Sequence, residues 1–438
     1  MLAAYLGATC VSPGDKVDAM VSTDASHVDA RVVRLVHGDP NPEGPGVVEE
    51  DALWSGVGVQ AGEQQPLLTG SWIELPLNPN GLQSPTLAFW VYWTGDSPDA
   101  QTLAFLGHQG TEVLRLVIRP DSHLEATVRE SGETTVLETP TPIHRRRWYF
   151  VGISADAPTG QLGVFCAERG TSVFSVERTQ AGWTGIPRDS DTLLLGASLE
   201  NGTIQNSFSG KIGGIRIFEG LLDDIDLSDL KQGAEPEGGR CEGAWDLARQ
   251  TTGTRAVDIS GHGRHGQIHN GAARAVTGPE WQETDTTIGS TPRLYDAVHL
   301  HDDDLADARW LPTFTFSVPP DARSGIYAIR LSTQEEEVAL SLVVGPPPQP
   351  STPVLFLVPT LTWLAYANFD SGDKHHIGLS LYDSHSDGSP NYYASQRKPT
   401  SSTRPDAYFE PEKTGGGSVP QIDPSQPGIA ENATHLVM

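Results

Sequence analysis

Apolar and polar residues alternate along the start of the chain. Lys16-Val17-Asp18-Ala19-Met20-Val21 and Ala30-Arg31-Val32-Val33-Arg34-Leu35 both have the period of two that marks a half-buried strand, and Pro13-Gly14-Asp15 ahead of the first is a turn signal. The stretch from Gly38 to Gly46 is rich in Gly and Pro and reads as a linker. The same style returns over residues 291–345, in Phe314-Thr315-Phe316, Ile326-Tyr327-Ala328-Ile329-Arg330-Leu331 and Val338-Ala339-Leu340-Ser341-Leu342. Tyr327, within a Gly-x-Tyr-x-x-x-Leu string, is expected to bury its ring. One pattern at both ends predicts a small β-sandwich split between residues 1–60 and 280–345.

Residues 61–279 form a second all-β stretch. Trp72-Ile73-Glu74-Leu75, Leu87 to Trp93, Val113 to Ile118, Trp148 to Ile153 and Leu193-Leu194-Leu195 recur with turns between them, followed by Phe208-Ser209-Gly210-Lys211-Ile212-Gly213-Gly214-Ile215-Arg216-Ile217-Phe218. Aromatics on alternate positions describe two packed sheets. The acidic residues after Leu221-Leu222 predict a short helix. Residues 346–352, rich in proline, make a stiff hinge. Beyond it the period changes. Val354 to Val358 is a continuous apolar run, as in a buried parallel strand, and Thr360 to Asn368 has approximate helical spacing, so residues 353–438 are expected to open an α/β domain. The fold class is therefore mostly β and multidomain.

Composition supports short strands and tight turns, since 46 Gly and 33 Pro do not suit an all-helical protein. With 29 basic against 56 acidic residues the net charge is −27, which disfavours duplex nucleic acid and anionic membrane surfaces as partners. Cys10, Cys166 and Cys241 are widely spaced, odd in number and outside any zinc pattern, as expected in a reducing, cytoplasmic compartment. The first ten residues are weakly reminiscent of a signal segment but lack a basic start and a sufficient apolar stretch. In His299-Leu300-His301-Asp302-Asp303-Asp304, two His at i, i+2 could share one face of a strand and hold a metal, but a solvated loop is the expected reading.

Two resemblances add to this reading. The strings TLAFWVYW, GQLGVFC, LLLGAS and FSGKIGGIRIFEGLL resemble a laminin-G/concanavalin-type jelly roll, a fold that often binds sugars, sometimes through calcium. The strings from Pro359 to Asn368, from Leu381 to Gly388, and Arg404-Pro405 with Tyr408, together with DAVHLHDDDLADARW, resemble the large (beta) subunit of N,N-dimethylformamidase and its relatives. That resemblance implies a split sandwich, an inserted laminin-G-like domain and a glutamine-amidotransferase-like α/β domain. It also implies hydrolysis of small formamides to formate and an amine at a mononuclear ferric iron held by two tyrosinates and a glutamate, and a small second subunit in a higher oligomer.

Ferric iron is a hard Lewis acid and phenolate a hard anionic donor, so the ligand set is chemically reasonable. Carried over by resemblance, Tyr366 and Tyr408 are the expected tyrosinates, at about the family's separation, with Tyr382 as substitute for either. Asn368 is expected to orient substrate, and His385 with Asp387 to support the ligands. The glutamate and the acid/base residues are expected beyond residue 438, Glu410, Glu412 and Glu431 matching no motif, so the chain is expected to be a fragment. A non-catalytic glycan- or protein-binding role of the jelly roll is the alternative. Thiol amidotransferase chemistry is excluded within this sequence, because no Cys follows Cys241.

Overall fold

The computed structural model describes residues 1–38, 47–108, 111–130, 132–190, 192–283, 287–347, 354–368 and 378–400. It divides into a unit of residues 1–67, 305–385 and 389–438 and a larger unit of residues 68–304 and 386–388. The linker from 39 to 46, most of the hinge and everything after residue 400, Tyr408 included, lie outside the described residues. Among the described residues, no helix is long and apolar enough to cross a membrane.

The smaller unit is a sandwich of two sheets. Ala3–Leu6, Lys16–Ser22 and Phe314–Ser317 make one, with Lys16–Ser22 in the middle. The other runs Cys10–Val11, Glu337–Val344, Gly325–Ser332, His27–Gly38 and Val47–Ala52, and Gly58–Ala61 also pairs with His27–Gly38. Alternation along these strands sends Leu2, Val17, Phe316, Val32, Ile329 and Leu340 into one core. Tyr327 is buried in that core, and its hydroxyl donates to the Arg323 carbonyl at 2.8 Å. Segments from before and after the larger unit's main span are both needed to close it.

Most strands of the larger unit belong to one hydrogen-bonded sheet that doubles back on itself as a jelly-roll-like sandwich, with Ser198–Glu200 and Thr203–Gln205 a separate pair. Gly210–Glu219 is a hub, pairing with Pro85–Trp93, Arg240–Asp246 and Ala297–Leu300. Leu87, Phe89 and Val91 from one layer meet Leu103, Leu116 and Leu195 from the other in the main core. Pro85–Trp93 is apolar on both faces because its outer face is also covered. There Ala88, Phe150, Phe165 and Phe218 pack under Leu227 and Leu230 of the helix Asp224–Lys231. Asp223 starts that helix: its carboxylate accepts from the Ile225 and Asp226 amides, and Asp226 reaches back to the Asp223 amide.

Two placements differ from the sequence reading. Ala297–Leu300, grouped by sequence with the small sandwich, is a strand of the larger unit, with Gly210 to Gly213 opposite Leu300 to Ala297. A Cβ at Gly213 would run into the Asp296 carbonyl oxygen, so the bare glycine is what lets this strand dock. The apolar run from Val354 to Leu357 is not a buried strand; its side chains are exposed and it has no strand pairing. A parallel strand needs neighbours on both sides, and among the described residues no strand follows Val344. The helix expected after it is present as Thr360–Tyr366.

Asp296 lies at this junction and accepts from the Leu247 amide at 2.6 Å. Burial, reinforced by the nearby Asp246 charge, pushes its carboxyl up to about 7, against the pull of that amide and of Arg216. The folded state therefore holds a proton there that the unfolded chain releases near pH 4. This contribution is fully present below pH 4 and is lost as pH rises through 7, on the order of a few kcal/mol. Asp296→Asn is expected to flatten the decline in stability between pH 4 and 7, measured by urea unfolding across that range; an unaltered slope would mean that Asp296 ionises normally.

Candidate functional site

The sequence-derived residues fall in two places. In the smaller unit, Tyr366 ends the helix Thr360–Tyr366 and its ring stacks on Tyr382, centroids 4.4 Å apart and planes 26° off parallel. Both residues are exposed. A hydrogen bond to Tyr382, then burial and the charge Tyr382 would carry, raise the Tyr366 phenol above its ordinary value. Adjacent phenol oxygens are a donor type that hard cations take.

Local turns hold Tyr382 in place. The Ser380 amide donates to Asp383 at 2.7 Å, the Tyr382 amide to the Ser380 hydroxyl at 3.1 Å, and the Leu381 amide to the Ala365 carbonyl on the helix at 3.2 Å. Asn368 is buried, and so is Lys398; both approach Gly378. Trp363, Leu364, Ala367 and Lys398 line a cavity of about 100 Å³ with Tyr5 and Leu340. His385 is buried in the same unit, its amide donating to the Ser389 carbonyl at 2.8 Å.

Asp387 belongs to the larger unit. Its carboxylate stands 3.1 Å from His299 Nε2 and 3.9 Å from His301 Nε2. The expected solvated loop is therefore a buried cluster: His299, His301 and Asp304 are all buried. The reason is the alternation Ala297-Val298-His299-Leu300-His301. Val298 and Leu300 enter the main core, which leaves both imidazoles on the opposite face. Burial, opposed by the bond to Asp387, takes the His299 imidazole down to about 4, so it is neutral at pH 7.

Residues 267–428 match the family model described as N,N-dimethylformamidase beta subunit-like, C-terminal, and residues 68–227 match that of the concanavalin A-like lectin/glucanases superfamily. The chain is 28% identical to the N,N-dimethylformamidase beta subunit of Alcaligenes sp over 457 aligned residues, which cover 92% of this chain and 60% of the relative. It is 27% identical to that of Paracoccus aminophilus, with the same coverage. This chain resembles the N,N-dimethylformamidase beta subunit. It spans about 60% of the length of these curated relatives. Among solved structures, the CBM40 of the Ruminococcus gnavus IT-sialidase bound to sialyllactose matches at 18% identity, covering 35% of this chain and 84% of its own, with a TM-score of 0.31; that likeness is too distant to bear on function.

For this dimethylformamidase-like chain, Tyr366 and Tyr382 come together, Asn368 lies near Lys398, and Asp387 meets two histidines. Sequence reasoning missed Lys398 and the polar support of the histidines; the AVHLH alternation was the available signal for the latter. The support runs through Ser71, whose hydroxyl donates to Asp304 Oδ2 at 2.6 Å and accepts from the His301 amide at 3.1 Å. Ser71→Ala leaves Asp304 short of a donor in a dry site, and is expected to cost about 1–3 kcal/mol in urea unfolding. A change within error would show that water replaces the hydroxyl.

Proposed function

We propose that this chain carries the amide-hydrolysing role of the N,N-dimethylformamidase large subunit, acting on small N-substituted formamides. Similarity running through 92% of the chain is the observation that carries this reading. In the reaction, water adds to the formyl carbon, the C–N bond breaks, and the amine leaves with a proton, giving formate and an amine.

Tyr366 with a second tyrosine, Tyr382 or Tyr408, would hold a mononuclear ferric ion. When bound, that ion would supply Lewis acidity toward the amide carbonyl and toward water. The protein's own contribution is positioning. The Ser380–Asp383 turn holds the Tyr382 ring against Tyr366. Trp363 and Leu364, on the helix that ends in Tyr366, line a cavity with room for only a small molecule, which supports a compact amide as substrate. Asn368, buried one turn from these residues, would orient it through its carboxamide. The relatives' designation as a beta subunit supports assembly with a second, different chain.

Tyr366→Phe, made in the protein as its gene encodes it, removes one phenolate. Its visible phenolate-to-iron absorption should be lost or strongly weakened, and amine release from N,N-dimethylformamide should fall at least about 100-fold. A variant with wild-type colour and turnover would remove Tyr366 from the site.

A further inference from the structure

We propose that His299, His301 and Asp387 form a site for a divalent transition metal of the zinc class, made of residues different from the tyrosine pair. The spacing is the first reason. Ligand atoms of the three residues lie within 4.8 Å of one another, with the Asp387 oxygen 3.1 and 3.9 Å from the two Nε2 atoms. Tetrahedral donors about 2.0–2.1 Å from a metal stand roughly 3.3–3.4 Å apart. Only small side-chain shifts separate the present arrangement from that geometry.

The second reason is preorganisation. Asp304 Oδ2 lies 3.3 Å from His301 Nδ1, which leaves the far nitrogen of that ring facing Asp387. Asp304 is itself held by the Ser71 hydroxyl and the His301 amide. A carboxylate behind an imidazole is the arrangement that fixes the tautomer and orientation of a ligating histidine. The rings of His299 and His301 are tilted by 43° with centroids 4.1 Å apart, as suits two donors converging on one point.

Charge and burial give the third. The side chains of His301 and Asp387 are each 1% exposed. Asp302, at 2.9 Å from the Ser209 hydroxyl, adds another carboxylate beside Asp304 and Asp387. Lys211 faces His299 across the strand pair and is one opposing charge; the Arg146 guanidinium, which donates to the Asp387 carbonyl at 3.3 Å, is another. The Lys211 ammonium donates to the Thr277 hydroxyl at 2.9 Å and lies 5.4 Å from the Tyr92 ring centre. The carboxylates of Asp302, Asp304 and Asp387 thus outnumber the cations Lys211 and Arg146 around the pocket, a balance that favours a cation. Two imidazoles and one carboxylate select zinc, cobalt, nickel or ferrous iron over calcium or magnesium, and leave a position for water. Thr94, whose hydroxyl is 3.3 Å from His299 Nε2, borders that position. The metal would clip Ser386–Gly388 to the strand Ala297–Leu300.

The test is a Co²⁺ titration of the chelator-stripped protein, read by its visible d–d absorption. One equivalent binding at micromolar concentration or tighter is expected, with His299→Gln, His301→Gln and Asp387→Asn each weakening binding at least about 10-fold to 100-fold. Tyr366→Phe should leave this titration unchanged, which separates the site from the iron site proposed above. Far-UV circular dichroism identifies any variant that has not folded, and Asp387→Asn, a change of equal size in a turn outside the strands, then carries the test. Equal Co²⁺ affinity in wild type and folded Asp387→Asn, or no saturable binding to the folded wild type, overturns the proposal.

Discussion

The strand Gly210–Glu219 has neighbours on both edges over its length, and at Gly213 one of them comes close enough that no side chain fits between. That missing Cβ is the constraint on which the larger unit's chemistry depends. It admits the strand Ala297–Leu300, whose alternation then puts Val298 and Leu300 in the core and His299 and His301 on the other face. At Gly214 the backbone takes φ +60°, where the register against Pro85–Trp93 shifts, so this glycine is required too. Two adjacent glycines in one strand thereby do the work of a docking seam.

Burying polar groups behind that seam requires partners for each of them. Ser71, Asp304 and the His301 amide satisfy one another. Asp296 meets the same requirement differently, by staying protonated through much of the acidic range. The tyrosine pair of the smaller unit is in a different environment. Tyr366 and Tyr382 are held by turns on an exposed surface, and their chemistry depends on each other more than on burial.

Much of the fold was legible because it rests on period two. The strands Lys16–Ser22, Gly325–Ser332 and Pro85–Trp93 announce themselves by alternation or by aromatic density, and the helix Asp224–Lys231 by its acidic start. Two things were not legible. Val354 to Leu357 has the composition of a buried strand, but composition cannot supply the neighbours a parallel strand needs, and the run is exposed. The string from His299 to Asp304 looks solvated because consecutive acids usually are. The burial of His299, His301 and Asp304 depends on Gly213 and Ser71, far away in sequence, which no local window contains. Tyr366 and Tyr382 were singled out by resemblance alone; their stacking could not be read from spacing.

His299, His301 and Asp304 of this acidic string are buried, hydrogen-bonded parts of the larger unit. Native-state hydrogen exchange tests this most directly. The amides of His301, which donates to Ser71 and Asp304, and of its strand neighbours Val298 and Leu300 should exchange as slowly as core amides such as Phe89, opening only with global unfolding. Exchange of the His301 amide at the rate of an exposed loop, with Phe89 still protected, would contradict the account.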